Sequence, residues 1–85
     1  MHILHTLMKG VDFMKDLCYI SENLFNLRNS INLSQSYVSN VVHIDRTILS
    51  KYESGILVPS LPILFKLANF YNVDIDYLLS KNNIF

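Results

Sequence analysis

The stretch "DRTILSKYESG", Asp45–Gly55, sets two cations and two anions among hydroxyl-bearing and apolar side chains. It has neither the pattern of a catalytic triad nor that of a metal cage. As a capped helix it is coherent. Asp45 is placed to accept from first-turn amides, and Leu49 and Tyr52 stand three apart on an inward side. Gly55 supplies the left-handed residue that ends helices. The segment therefore predicts a helix over 46–54 that is anchored on one side and polar on the other.

Immediately upstream, "LSQSYVSNVV" offers Ser34 as an N-cap, with Val38, Val41 and Val42 on one side of a helix about eight residues long. "HID" interrupts it. Two short helices joined by a three-residue turn, the second with exposed polar side chains, form a helix-turn-helix arrangement. Downstream, Ser60 can cap a fourth helix whose first turn accepts Pro62 and whose apolar face is Leu61, Leu64, Phe65, Leu67, Ala68 and Tyr71. Asp74 then caps a short fifth helix in which Ile75, Leu78 and Leu79 close the core.

On the N-terminal side, "SENL" predicts a fresh helix start, with Ser21 as cap and Glu22 in the first turn. That helix is expected over 20–30, with Leu24, Leu27 and Ile31 inward. Before it, Ile3, Leu4, Leu7, Met8, Val11, Met14, Leu17 and Cys18 fall at steps of three and four, the stripe of another amphipathic helix, which Gly10 weakens. The expected organisation is an all-α chain. It has an N-terminal extension over 1–19 that can form an additional helix, a five-helix domain over 20–80, and a fraying tail over 81–85. Met8 and Met14 are alternative starts, so the first thirteen residues are either a native element or an early start.

Composition supports this. Of 85 residues, 51% are hydrophobic, enough for a continuous helical core with apolar surface to spare, and two glycines and two prolines leave little turn chemistry for an all-β fold. The single cysteine, Cys18, excludes an internal disulfide and is expected to pack as a small hydrophobe. Charges interrupt the apolar N-terminus, which is neither a secretory signal nor a membrane span, so a cytoplasmic location is expected. There is no glycine-rich phosphate loop, no nucleophile with a base, and no carboxylate pair on one face, so no enzyme and no cofactor is expected. His43 has no second ligand at metal-binding spacing, so no metal is expected either.

The elements "LSQ" at 33–35, "KYESG" at 51–55, "PSL" at 59–61 and "DYLL" at 76–79 occur in an order and spacing that resemble the phage-repressor and Cro-like helix-turn-helix family, often called the XRE family. The resemblance runs from Ile20 to Leu79 without a gap. It implies a five-helix lambda-repressor-like fold and a sequence-specific, double-stranded DNA-binding transcriptional regulator, a repressor acting as a homodimer. It assigns Gln35 to the DNA backbone or an outer base. It assigns Arg46, Thr47, Ser50 and Lys51 to the major groove, and Ser54 with the amides around Gly55 to phosphate. Arg and Lys suit guanine O6 and N7, and Thr offers its methyl to thymine. Arg28 and Glu53 are implied to form a structural ion pair.

Each assignment has a plainer rival. Arg46 and Lys51 also suit a solvated helix face, Gln35 can decorate a helix start, and Ser50 can bond back to its own helix. The chain also departs from the family pattern. Ser39 stands where alanine is usual, and His43 where a turn glycine is usual, a position that often adopts a left-handed backbone. "ILV" replaces the basic residues common after Gly55, and seven Lys/Arg balance seven Asp/Glu for a net charge of zero. The alternative is therefore a helix-turn-helix scaffold for protein–protein interaction, antirepressor or antitoxin-like, that binds a partner through Ile56, Leu57 and the extension.

Overall fold

The computed structural model describes the backbone of residues 13–82 and the side chains of residues 18–82. The stripe expected from Ile3 to Val11 and the side chains of Met14 and Leu17 lie outside the described residues. Among those described, five helices and no strand occur: α1 (Phe13–Ser30), α2 (Gln35–Val42), α3 (Arg46–Ser54), α4 (Leu61–Tyr71) and α5 (Ile75–Leu79). The all-α expectation holds.

The first helix differs from expectation, because it runs unbroken through Ser21. Ser21 does not cap a new start. Its hydroxyl donates to the Cys18 carbonyl at 3.0 Å, the one-turn-back bond by which a serine satisfies itself inside a helix. Cys18 is exposed rather than packed. The inward side of α1 is the line of Ile20, Asn23, Leu24, Leu27 and Arg28, and Cys18, two residues before Ile20, faces away from it.

The core gathers Ile20 and Leu24 from α1, Val38 and Val42 from α2, Leu49 from α3, Leu64, Leu67 and Ala68 from α4, and Leu78 from α5, with Ile44 from the turn. α1 packs on α3 and α5, and α2 packs on α3 and α4. Several residues expected inward are exposed instead: Ile31, Val41, Leu61, Phe65 and Leu79. An amphipathic helix buries only a stripe. On α2 that stripe is filled by Val38 and Val42, and on α4 by Leu64, Leu67 and Ala68, which leaves the flanking apolar residues at its solvent edge.

α5 has only five residues and is held from outside. Asn23, buried in α1, directs its Nδ2 at the carbonyls of Tyr77 (3.0 Å), Leu78 (3.0 Å) and Ser80 (2.7 Å). An amide nitrogen carries two hydrogens, so the three acceptors share them. Asn82 adds a bond to Tyr77 O at 2.7 Å. Tyr77 and Leu78 lie in the last turn of α5, where a helix leaves its carbonyls without intrahelical i+4 partners, and Ser80 is its C-cap. The N-cap positions Ser60 and Asp74 sit where expected, but neither side chain makes a cap hydrogen bond.

Candidate nucleic-acid interface

Both helices of the central pair are capped as their sequences require. Ser34 Oγ accepts from Tyr37 N at 3.0 Å. Asp45 Oδ1 accepts from Thr47 N at 2.8 Å and from Ile48 N at 3.3 Å. Between them, His43 takes φ 58°, ψ 47°, so the left-handed turn is made without glycine. Its N–H and that of Ile44 both reach the Ser39 carbonyl. Buried Ser39 donates its hydroxyl to Ser36 O at 3.0 Å. Lys66 of α4 donates to Val42 O at 2.9 Å. A cation thus sits at the negative end of α2.

On α3, Leu49 and Glu53 are buried, and Tyr52 and Ile48 are half-buried. Arg46, Thr47, Ser50, Lys51 and Ser54 recur at one-, three- and four-residue steps, which gathers them on the other side of the helix. Arg46, Thr47 and Ser54 are exposed, and Ser50 and Lys51 are half-buried. The α3 serine whose hydroxyl bonds back is Ser54, to Lys51 O at 3.3 Å.

α3 ends on Gly55 in the left-handed conformation expected of it. Gly55 adopts φ 83°, and a side chain there would approach Ser21 Oγ of α1 at 3.4 Å. The amides of Gly55, Ile56 and Leu57 all donate to the Lys51 carbonyl. The amides expected to meet phosphate around Gly55 are therefore engaged inside the protein. By contrast, the Gln35 and Ser36 amides at the positive end of α2 have no hydrogen-bond partner among the described residues.

Arg28 and Glu53 are joined as expected. Arg28 Nε donates to Glu53 Oε2 at 2.8 Å and Oε1 at 3.0 Å, and Nη2 donates to Oε1 at 2.9 Å. The pair is nearly shielded from solvent, with side-chain exposures of 11% and 2%. Hydrogen bonding to Glu53 raises the Arg28 pKa above its already high ordinary value, against the opposing effect of burial. Arg28 Nη1 also donates to Leu33 O at 2.7 Å, which ties α1 to the segment entering α2. Gln35 Nε2 reaches the same carboxylate, at 3.2 Å from Oε1. Nearby, the buried Tyr71 hydroxyl has no hydrogen-bond partner among the described residues. Burial and then the Glu53 charge push its pKa up to about 12, with Arg28 opposing.

A capped pair of short helices, the second clamped by a buried ion pair and presenting polar residues outward, defines a helix-turn-helix domain. The helix-turn-helix family profile matches residues 24–78, and the chain belongs to that family. It is 38% identical over 64 residues to the HTH-type transcriptional activator BcrR of Enterococcus faecalis, covering 75% of this chain and 31% of that protein. It is 36% identical over 62 residues to the cryptic phage CTXphi transcriptional repressor RstR of Vibrio cholerae, covering 73% of this chain and 55% of the other. With the HTH-type transcriptional regulator ImmR of Bacillus subtilis it shares 32% identity over 65 residues, covering 76% and 51%. The matched region thus spans about a third to just over half of these relatives. No solved structure gives a significant match. Among the described residues, no helix is long and apolar enough to cross a membrane.

Proposed function

We propose that this chain binds double-stranded DNA sequence-specifically through α3, as a homodimer, and represses transcription by occupying a promoter. The observation that carries the reading is the two-sidedness of α3. Its inner side is clamped by Leu49 and Glu53, and its outer side carries exposed Arg46 and Thr47 with half-buried Ser50 and Lys51. Those residue types can donate to base edges and phosphates. All three relatives are described as transcriptional regulators, one an activator and one a repressor. Repression is the simpler mode, since blocking a promoter requires occupancy alone.

Electrostatics supports a modest monomer affinity. Arg28 is engaged by Glu53 and Lys66 by Val42 O, which among the described residues leaves Arg46 and Lys51 to neutralise phosphate on this face. Two such half-sites joined in a dimer gain effective concentration. A second reading, a scaffold that binds protein, is favoured by one observation. Ile56 is 70% exposed, and its chain neighbours Leu57 and Val58, with Leu61 and Phe65 at the start of α4, are exposed as well. Exposed apolar side chains concentrated in this stretch suit a second copy or another protein.

Selection from randomised duplexes, read by anisotropy at two salt concentrations, separates the readings. The DNA reading expects a two-fold symmetric sequence to be enriched. It also expects Arg46→Ala/Lys51→Ala to flatten the log–log salt slope by about 0.9 for each phosphate that is no longer neutralised. No enriched sequence, together with indifference to the double substitution, would leave the protein-binding scaffold.

A further inference from the structure

We propose that the buried Arg28–Glu53 pair is a positioning device for Gln35, holding its carboxamide ready for a DNA-backbone contact; this rests on the DNA-binding reading above. Glu53 comes from the last turn of α3 and Gln35 from the first residue of α2, so the bond between them spans the two helices of the motif. A carboxylate only accepts hydrogen bonds. The Gln35 nitrogen must therefore face Glu53 Oε1, at 3.2 Å. That fixes the orientation of the amide, which at an exposed glutamine is free to flip.

Arg28 completes the device. Its guanidinium holds both oxygens of Glu53 and, through Nη1, the carbonyl of Leu33, two residues before Gln35. One buried cation thus sets both the backbone that enters α2 and the carboxylate that its first side chain bonds. Gln35 is half-buried, and among the described residues one N–H and the carbonyl oxygen of its side chain have no hydrogen-bond partner. Gln35 is the first residue of α2, so its side chain starts from the positive end of that helix, where the Gln35 and Ser36 amides are unpartnered among the described residues and a phosphate oxygen is favoured. Ordering Gln35 before DNA arrives removes part of the rotamer entropy that a mobile side chain loses on binding.

The pair also stabilises the fold, so the test must separate positioning from stability. A double-mutant cycle does so with Glu53→Gln, which keeps size and an acceptor, and Gln35→Met, which keeps length and removes the donor. Affinity for the selected duplex is measured for each variant whose melting curve shows it folded. Glu53→Gln is expected to weaken binding about five-fold when Gln35 is present and less than about two-fold in the Gln35→Met background, the non-additivity of coupled side chains. Equal losses in both backgrounds overturn the inference while leaving DNA binding intact. A wild-type chain that enriches no duplex overturns the DNA reading and this inference with it.

If Glu53→Gln does not fold, the side-chain amide signals of Gln35 in the wild-type protein decide instead. The inward hydrogen is expected to exchange slowly with water both free and bound, while the outward hydrogen shifts when the duplex is added. Two hydrogens that exchange as fast as those of an exposed asparagine such as Asn69 overturn the positioning role.

Discussion

The two halves of the domain are held by different means. Around α2 and α3 nearly every junction is a directed polar bond: Ser34 and Asp45 cap their helices, Arg28 clamps Glu53 and Leu33, Gln35 reaches Glu53, and Lys66 holds the end of α2. Around α4 and α5 the N-caps Ser60 and Asp74 make no side-chain cap bond. Closure there rests on Leu64, Leu67, Ala68 and Leu78, with Asn23 as its polar pin. Apolar packing is non-directional, whereas hydrogen bonds fix angles. The half that presents the proposed DNA-reading helix is the one whose geometry is specified bond by bond.

The sharpest way to break this contrast is Glu53→Ala. It strands the Arg28 cation in the interior and should cost about 3–5 kcal/mol. A thermal melt should show a marked fall in midpoint, and an unchanged curve contradicts the clamp. In the back half, Asn23→Ala leaves the carbonyls at the end of α5 with fewer donors and should cost about 2 kcal/mol by denaturant titration. A loss as large as that of Glu53→Ala would erase the distinction between the halves.

The caps sharpen the same comparison at lower cost. Asp45→Ala removes two cap bonds and should lose about 1 kcal/mol, whereas Ser60→Ala should lose only a few tenths. Equal losses from chemical denaturation would show that cap geometry is not what separates the halves. The smallest effect is expected at Tyr71. Its buried hydroxyl has no partner among the described residues, so Tyr71→Phe should leave the midpoint unchanged or raise it slightly. In the wild type this phenol should ionise only near pH 12. Because the folded-state value is raised above the unfolded one near 10, its contribution is complete below pH 10 and is lost as pH rises toward 12. A tyrosinate absorbance titration during alkaline unfolding checks the sign.

What could be read in the sequence follows the same division. The bounds and caps of α3 were legible because Asp45 and Gly55 act on residues at most four positions away. The left-handed turn at His43 and the Arg28–Glu53 pair followed from the family resemblance. Asn23 was not legible, since its partners are carbonyls 54 to 57 residues distant and a carbonyl leaves no mark on sequence. Ser21 misled because a serine that can cap can equally bond back within a continuous helix. Cys18, Val41 and Phe65 misled because apolar character alone does not say which side of a stripe is covered. The Gln35–Glu53 bond was hidden because the resemblance gave the two residues separate tasks.

The central claim, that the outer side of α3 and the start of α2 meet duplex DNA, is tested most directly by an amide chemical-shift map of the chain titrated with its selected duplex. The account predicts the largest shifts at Gln35, Ser36, Arg46, Thr47, Ser50 and Lys51. Shifts confined to Ile56–Val58, Leu61 and Phe65, with α3 silent, would contradict it.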